Sequence, residues 1–219
     1  MTFKLIIFDL DDTLVDTSGS LGPRKLFDAL QVMVEAGLVV KSMAEGLKRL
    51  KAIDENSLSG KDSIMQFVKE MNGASSIAEI GIKEYYEHIE GEYALSEIEG
   101  ASQMLSILAE KYILVVVSWG LEAQQLLKMK KAGITVSLFA KVIFIPENDK
   151  KPVYESLLRE FTIAPTEALV CGDRFNWDLL PAQELGMKTV HFRWGRGRKA
   201  VVKADYAINT LHDLLEIVQ

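Results

Sequence analysis

Phe3-Lys4-Leu5-Ile6-Ile7-Phe8-Asp9-Leu10-Asp11-Asp12-Thr13-Leu14 is an apolar run that breaks into carboxylates. Apolar residues in succession, without the alternation of a half-exposed strand, predict a strand buried on both faces. Strands of that kind belong to parallel sheets. The carboxyl ends of parallel strands open on one edge, and ligands bind there. Asp9 and Asp11 fall at that edge.

The same pattern recurs along the chain. Tyr112–Val117, Lys141–Ile145, Ala168–Cys171, Lys188–Phe192 and Asp205–Ile208 are further strand candidates. Helical patterns lie between them. Ala101, Met104, Leu105 and Leu108 share one helical face, Leu121 to Lys131 reads as a helix ended by Gly133, and Pro152 suits a first helical turn. The alternation predicts an α/β fold, a Rossmann-like parallel sheet with helices on both faces, built from residues 1–17 and 96–219. Residues 18–95 contain no convincing strand. Leu26, Leu30, Met33 and Val34 form one apolar stripe, Met43, Leu47 and Leu50 a second, and Ile64, Phe67, Val68 and Met71 a third. Ile77 to Tyr93 reads as a less regular, acidic helix. A small all-helical domain is therefore predicted between the first strand and the rest of the sheet, entered at Gly22-Pro23 and left at Ser96 to Gly100.

The totals narrow the class. The chain of 219 residues is 48% hydrophobic and 26% charged, as a soluble globular protein is. Its formal net charge of -6 argues against nucleic acid or an anionic membrane as partner. An acidic protein that handles phosphate needs a local remedy for charge repulsion, such as a metal ion. The lone Cys171 has no internal disulfide partner, which predicts a reducing compartment. The short apolar start, with Lys4 inside it and acids directly after, fits neither a signal peptide nor a membrane span. A cytoplasmic protein is expected.

A second acidic segment, Gly172-Asp173-Arg174-Phe175-Asn176-Trp177-Asp178, follows another strand candidate. Alone, either segment reads as turn or N-cap chemistry. Together, at the same edge of one sheet, Asp9, Asp11, Asp173 and Asp178 converge. Carboxylates at close range repel one another unless a hard cation sits among them, and oxygen ligands suit Mg²⁺. Two smaller pieces also follow strands. Ser118-Trp119-Gly120 opens a helix and offers a hydroxyl and backbone N–H groups to phosphate oxygens. Lys150-Lys151-Pro152 offers a lysine that balances carboxylates and phosphate.

These four pieces, in this order, resemble the haloacid dehalogenase-like (HAD) hydrolase superfamily along nearly the whole chain. Phe8 to Leu14 is similar to its first motif, Ser118 to the second, and Lys151 before Pro152 to the third. Asp173 and Asp178, with Ala182 and Gly186-Met187 beyond, are similar to the fourth. The helical insert resembles the family's first type of cap domain. The resemblance implies a phosphate-monoester hydrolase in which Asp9 attacks phosphorus and Asp11 protonates the leaving oxygen, then activates water. It implies Mg²⁺ held by Asp9, the Asp11 carbonyl and Asp173, with Asp178 supporting, and phosphoryl oxygens bound by Ser118, Trp119 and Lys151. The implied substrate is a small phosphorylated metabolite.

Trp119 stands where the family often has Asn, and Arg174 where Ser is common. In the helical insert, Gly60 and Lys61 within Ser59-Gly60-Lys61-Asp62 resemble a substrate-specificity loop; a Gly turn with a capping Asp62 is the local alternative. The basic run Arg193 to Lys199 reads as a solvated loop, with capture of a phosphorylated ligand as the alternative, and His191 as a core residue. A phosphomutase or a dehalogenase on the same fold, and a binding protein without catalysis, are the competing readings.

Overall fold

The structure, a computed structural model, describes residues 2–57, 59–87, 93–147, 149–198 and 200–218. Its contacts divide into two compact units. One joins the residues up to Thr17 with those from Leu95 onward, and the other is Ser18–Ala94.

The first unit holds six parallel strands: β1 (Leu5–Phe8), β2 (Ile113–Trp119), β3 (Lys141–Ile145), β4 (Ala168–Gly172), β5 (Lys188–Phe192) and β6 (Tyr206–Ile208). Their order across the sheet is β3-β2-β1-β4-β5-β6. The continuous apolar runs have the cause expected of them: every residue of β1 and β4 is buried, because helices cover both faces. β1 starts two residues later than the apolar run, at Leu5. β2 runs on through Ser118 to Trp119, where Trp119 pairs with Ile145 of β3.

The second unit is helical in its described residues: α1 (Gly22–Glu35), α2 (Met43–Asp54), α3 (Gly60–Glu70) and α4 (Ser75–Glu87). Ser42 caps α2 by accepting the Glu45 N–H, and Ser59 caps α3 by accepting the Asp62 N–H. The apolar stripes close on one another. Leu30, Met33, Leu50, Ile64 and Phe67 are fully buried in one cluster, each worth about 1.5–3 kcal/mol of transfer free energy. Met43, Leu47, Val34 and Met71 pack on its margin. The last helix begins at Ser75 rather than Ile77. Residues 88–92 of its expected span lie outside the described residues.

From Leu95 on, α5 (Ala101–Ala109), α6 (Glu122–Lys131), α7 (Lys151–Glu160), α8 (Leu180–Glu184) and α9 (Asp213–Ile217) complete the first unit. Its core runs from Leu5, Ile7, Val115, Val117 and Val170 to Tyr154 and Leu157 of α7 and Ala182 of α8. Among the described residues, no helix is long and apolar enough to cross a membrane.

Candidate active site

The chain leaves β1, fills the sheet outward through β2 and β3, then returns to the other side of β1 as β4. Between β1 and β4 the direction of filling reverses, and the strand ends there leave a crevice. Phe8 pairs with Cys171 across this seam, and the Asp9 N–H donates to the Cys171 carbonyl at 3.0 Å. Asp9 and Asp173 therefore enter the crevice from adjacent strands.

Asp178 arrives by a different route. A π-helical turn, Phe175–Leu179, follows β4. It folds back so that the Arg174 N–H donates to Asp178 Oδ2 at 2.9 Å. Gly172 makes room, since a Cβ there would lie 2.6 Å from that carboxylate oxygen. One carboxylate oxygen from each of Asp9, Asp173 and Asp178 lies within 4.8 Å of the others, and all three residues are buried.

The lysine in this group is Lys150, not Lys151. Lys150 Nζ lies 2.5 Å from Asp9 Oδ1 and 2.7 Å from Asp178 Oδ1. Its side chain is 2% exposed. Lys150 caps α7, and Lys151 is the first residue within it. One step along a helix turns a side chain by about 100°. Lys151 accordingly leaves the crevice and pairs with Glu184 at 2.7 Å. The expectation that Lys151 binds phosphate is corrected by that rotation.

Three buried carboxylates against one lysine leave the crevice short of positive charge. Burial, opposed by Lys150 and reinforced by Asp178 and Asp11, pushes the Asp9 carboxyl up to about 7. Burial and the neighbouring Asp12, Asp178 and Asp9 raise Asp173 well above the usual carboxylate range. Burial works against the charged form of Lys150, but Asp178 and Asp9 more than offset it and hold the ammonium firmly protonated. An all-oxygen, electron-rich donor set of this kind fits a hard divalent cation.

The side chain of Asp11 belongs to a separate group. The loop that carries it is tightly tied: Leu14 and Val15 N–H donate to the Leu10 carbonyl, and Asp12 N–H to the Val15 carbonyl. Asp12 adopts φ 59°, a conformation Asp tolerates better than most residues. Asp11 is thereby aimed at α6. Lys128 Nζ donates to both of its carboxylate oxygens, at 2.7 and 2.9 Å, Gln125 Nε2 donates to Oδ2 at 2.9 Å, and the Thr17 hydroxyl donates to Oδ1. Burial would raise its pKa, but Lys128 and these hydrogen bonds outweigh burial and lower it.

Ser118 is buried near the end of β2, where its hydroxyl accepts from Gln125 Nε2 at 2.9 Å. The indole N–H of Trp119 is given to the Pro146 carbonyl at 3.0 Å. The Gly120 N–H goes to the Ile145 carbonyl. Of the Ser118-Trp119-Gly120 group, the Ser118 hydroxyl is the side chain joined to the Asp11 group, through Gln125.

The basic run after β5 is more than a solvated loop. Trp194 stacks on Phe192 and donates its indole N–H to Asp16 at 3.0 Å. Gly195 and Gly197 lie against the acidic loops. A Cβ at Gly195 would stand 2.4 Å from an Asp12 carboxylate oxygen, and one at Gly197 2.1 Å from the Asp173 carbonyl. Arg193 and Arg198 are exposed, and Lys199 lies outside the described residues. His191 is buried in β5, and burial lowers its pKa.

Gly60 has a packing role within the helical unit, since a Cβ there would meet the Tyr85 ring at 2.5 Å. Lys61 N–H donates to the Tyr86 hydroxyl at 3.2 Å, and its side chain is exposed. Sequence reasoning missed Lys150, Gln125 and Lys128. Lys150 had a signal, being one of two lysines ahead of Pro152. Gln125 and Lys128 look like any polar pair on a helix.

Comparison with known proteins places this geometry. The family model for haloacid dehalogenase-like hydrolases matches residues 3–186. The glyceraldehyde 3-phosphate phosphatase of Pyrococcus furiosus is 30% identical over 99% of this chain and 93% of its own length. A protein of Haemophilus somnus, named as a predicted phosphoglycolate phosphatase, superposes with a TM-score of 0.75 at 23% identity, covering 100% of this chain and 99% of that one. The YfnB protein of Bacillus subtilis, solved bound to magnesium, superposes with a TM-score of 0.69 at 17% identity over the whole of both chains. Two acidic loops meeting at the seam of the sheet, and a family match that spans both, make this chain a member of the haloacid dehalogenase-like hydrolases.

Proposed function

We propose that this hydrolase, a phosphatase, cleaves a small phosphate monoester through an aspartyl-phosphate on Asp9, with Asp11 as acid and then base. One observation carries the reading. Asp9 sits in a cluster with Asp173, Asp178 and Lys150, while two residues further on Asp11 is held apart by its own donors. Nucleophile and proton carrier thus have different surroundings. A cation among Asp9, Asp173 and Asp178 would lower the raised Asp9 carboxyl, and Asp11 must take up a proton against the pull of Lys128 before it acts as acid.

In the first step an Asp9 carboxylate oxygen bonds to phosphorus and the P–O bond to the leaving group breaks. Asp11 gives that oxygen its proton. In the second step Asp11 takes a proton from water, the water oxygen bonds to phosphorus, and the acyl phosphate bond to Asp9 breaks. Ser118 accepts from Gln125, which leaves its own O–H free to donate to a phosphoryl oxygen. Lys150, bridging Asp9 and Asp178, holds the nucleophile in place and offsets charge beside it. Asp9, Asp173 and the Asp11 carbonyl would hold Mg²⁺, with Asp178 in support, and the ion would supply positive charge to phosphate and carboxylates alike.

The relatives support a small phosphate ester as substrate. Glyceraldehyde 3-phosphate is the first compound to try, because relatives named for it match nearly the full chain. Lys61, exposed at the start of α3, remains a candidate for substrate choice. A single buried cysteine fits a reducing, cytoplasmic setting. The test is phosphate release from glyceraldehyde 3-phosphate, related phosphate esters and an aryl phosphate, with Mg²⁺ and in excess chelator. Release that requires Mg²⁺ is expected. Isomerisation of a sugar phosphate without release would favour a mutase, and undiminished turnover in chelator would remove the metal from the reading.

A further inference from the structure

We propose that Gln125 and Lys128 of α6 are positioning residues for Asp11, and that Gln125 also sets the direction of the Ser118 hydroxyl. This rests on the acid–base reading of Asp11. Two short stretches of chain meet here. Asp11 comes from the loop after β1, and α6 from the turn after β2. Gln125 and Lys128 are three residues apart on α6 and so share one face of it.

The donors divide the work. Lys128 Nζ bridges both oxygens of Asp11, at 2.7 and 2.9 Å, which fixes the plane of the carboxylate. Gln125 Nε2 lies within hydrogen-bond distance of three acceptors, Asp11 Oδ2 at 2.9 Å, Ser118 Oγ at 2.9 Å and the Trp119 carbonyl at 2.8 Å, so its two hydrogens serve three oxygens and one of them is shared. One amide therefore ties the proton carrier to the residue assigned to the phosphoryl oxygens. Gln125 is 2% exposed. Gly120 lets it in, since a Cβ there would stand 3.2 Å from the Gln125 side chain, and its φ of 137° suits glycine.

The two lysines serve different carboxylates. Lys150 pairs with Asp9 and Asp178, and Lys128 with Asp11. Without Lys128, the Asp11 side chain would be free to turn toward the cation cluster formed by Asp9, Asp173 and Asp178. Lys128 is the tether that keeps it beside the leaving group. An error of about 1 Å in such a group costs on the order of a hundredfold in rate.

Lys128→Met, Asp11→Asn and the double variant should be assayed with an alkyl and an aryl phosphate. Lys128→Met should lower kcat by roughly 10- to 100-fold on the alkyl phosphate, in line with other supporting residues, and less on the aryl phosphate. In the Asp11→Asn background the same change should cost little more, because the residue it positions is already gone. Mg²⁺ affinity, read by titration, should stay within about twofold. Gln125→Ala should raise KM as well as lower kcat, since it also holds Ser118.

Equal losses on both substrates, or losses that multiply in the double variant, would overturn the proposal. If Asp11→Asn alone leaves both substrates unaffected, the acid–base reading of Asp11 is what fails. Should Lys128→Met not fold, Lys128→Gln keeps a donor of similar length. It should show the same non-additivity with a smaller loss, and additivity there would equally overturn the proposal.

Discussion

The two units of this molecule treat charge in opposite ways. In the helical unit Arg49 and Glu70 form a two-pronged pair on the outside, at 2.8 Å for both contacts, while Leu30, Met33, Leu50 and Phe67 fill the interior. Among its described residues Lys25 is the buried charge, reaching Glu84 and facing the Tyr93 ring. In the α/β unit the interior carries Asp9, Asp12, Asp173, Asp178 and Lys150, gathered at one edge of the sheet. Taking charges out of water costs several kcal/mol each unless they are paired. A fold that does so repeatedly at one edge is sacrificing stability there, and the return is chemistry.

The largest effect that would break this contrast is at Asp9. Asp9→Asn should lower turnover on the order of a thousandfold or more, because the amide is a poor nucleophile. The melting temperature should hold or rise, since a buried negative charge among like charges has been removed. A variant that kept several per cent of wild-type turnover would unseat Asp9.

Metal removal comes next. Excess chelator should abolish turnover, and Mg²⁺ should raise the melting temperature of the wild type by mass action on the folded state. Asp173→Asn should flatten that rise. A melting temperature insensitive to Mg²⁺ in the wild type would count against a cation among these carboxylates.

Lys150→Met sharpens the comparison through stability as well as activity. It strands two carboxylates in a buried crevice, and breaking a buried pair in this way costs about 3–5 kcal/mol. Urea denaturation in chelator would measure it, with Mg²⁺ expected to recover part of the loss. A loss under about 1 kcal/mol would mean that the cluster is wetter than its burial implies.

Much of this was legible in advance, for physical reasons. The strands announced themselves because both faces are covered, so Leu5-Ile6-Ile7-Phe8 and Ala168-Leu169-Val170-Cys171 had no polar alternation to hide them. Asp9 and Asp173 were legible because a carboxylate directly after such a run must sit at the sheet edge. The lysine was not. Whether Lys150 or Lys151 turns inward depends on where α7 begins, and one residue decides it. Gln125 and Lys128 were hidden for another reason. A polar face on a helix ordinarily meets water, and only the fold brings this one against Asp11. The stacking of Trp194 on Phe192, and the seating of Gly195 and Gly197 on the acidic loops, depended in the same way on long-range packing.

The smallest expected effect is at the neighbour of the buried lysine. Lys151 and Lys150 differ by no atom and by one position in the chain. Lys151 Nζ sits 2.7 Å from Glu184, and both side chains are well exposed, at 40% and 48%. Solvent screens such a pair, and the cost of holding two long side chains in one geometry offsets most of the attraction. Lys151→Met should therefore leave kcat/KM within about twofold of wild type and leave the urea midpoint unchanged within error. The same substitution one residue earlier should destroy both. Only the helical rotation at the start of α7 separates the two outcomes, so the pair of variants tests that rotation directly. A Lys151→Met enzyme crippled to the same degree as Lys150→Met would show that α7 begins elsewhere in the working protein, with Lys151 in the crevice and Lys150 outside it.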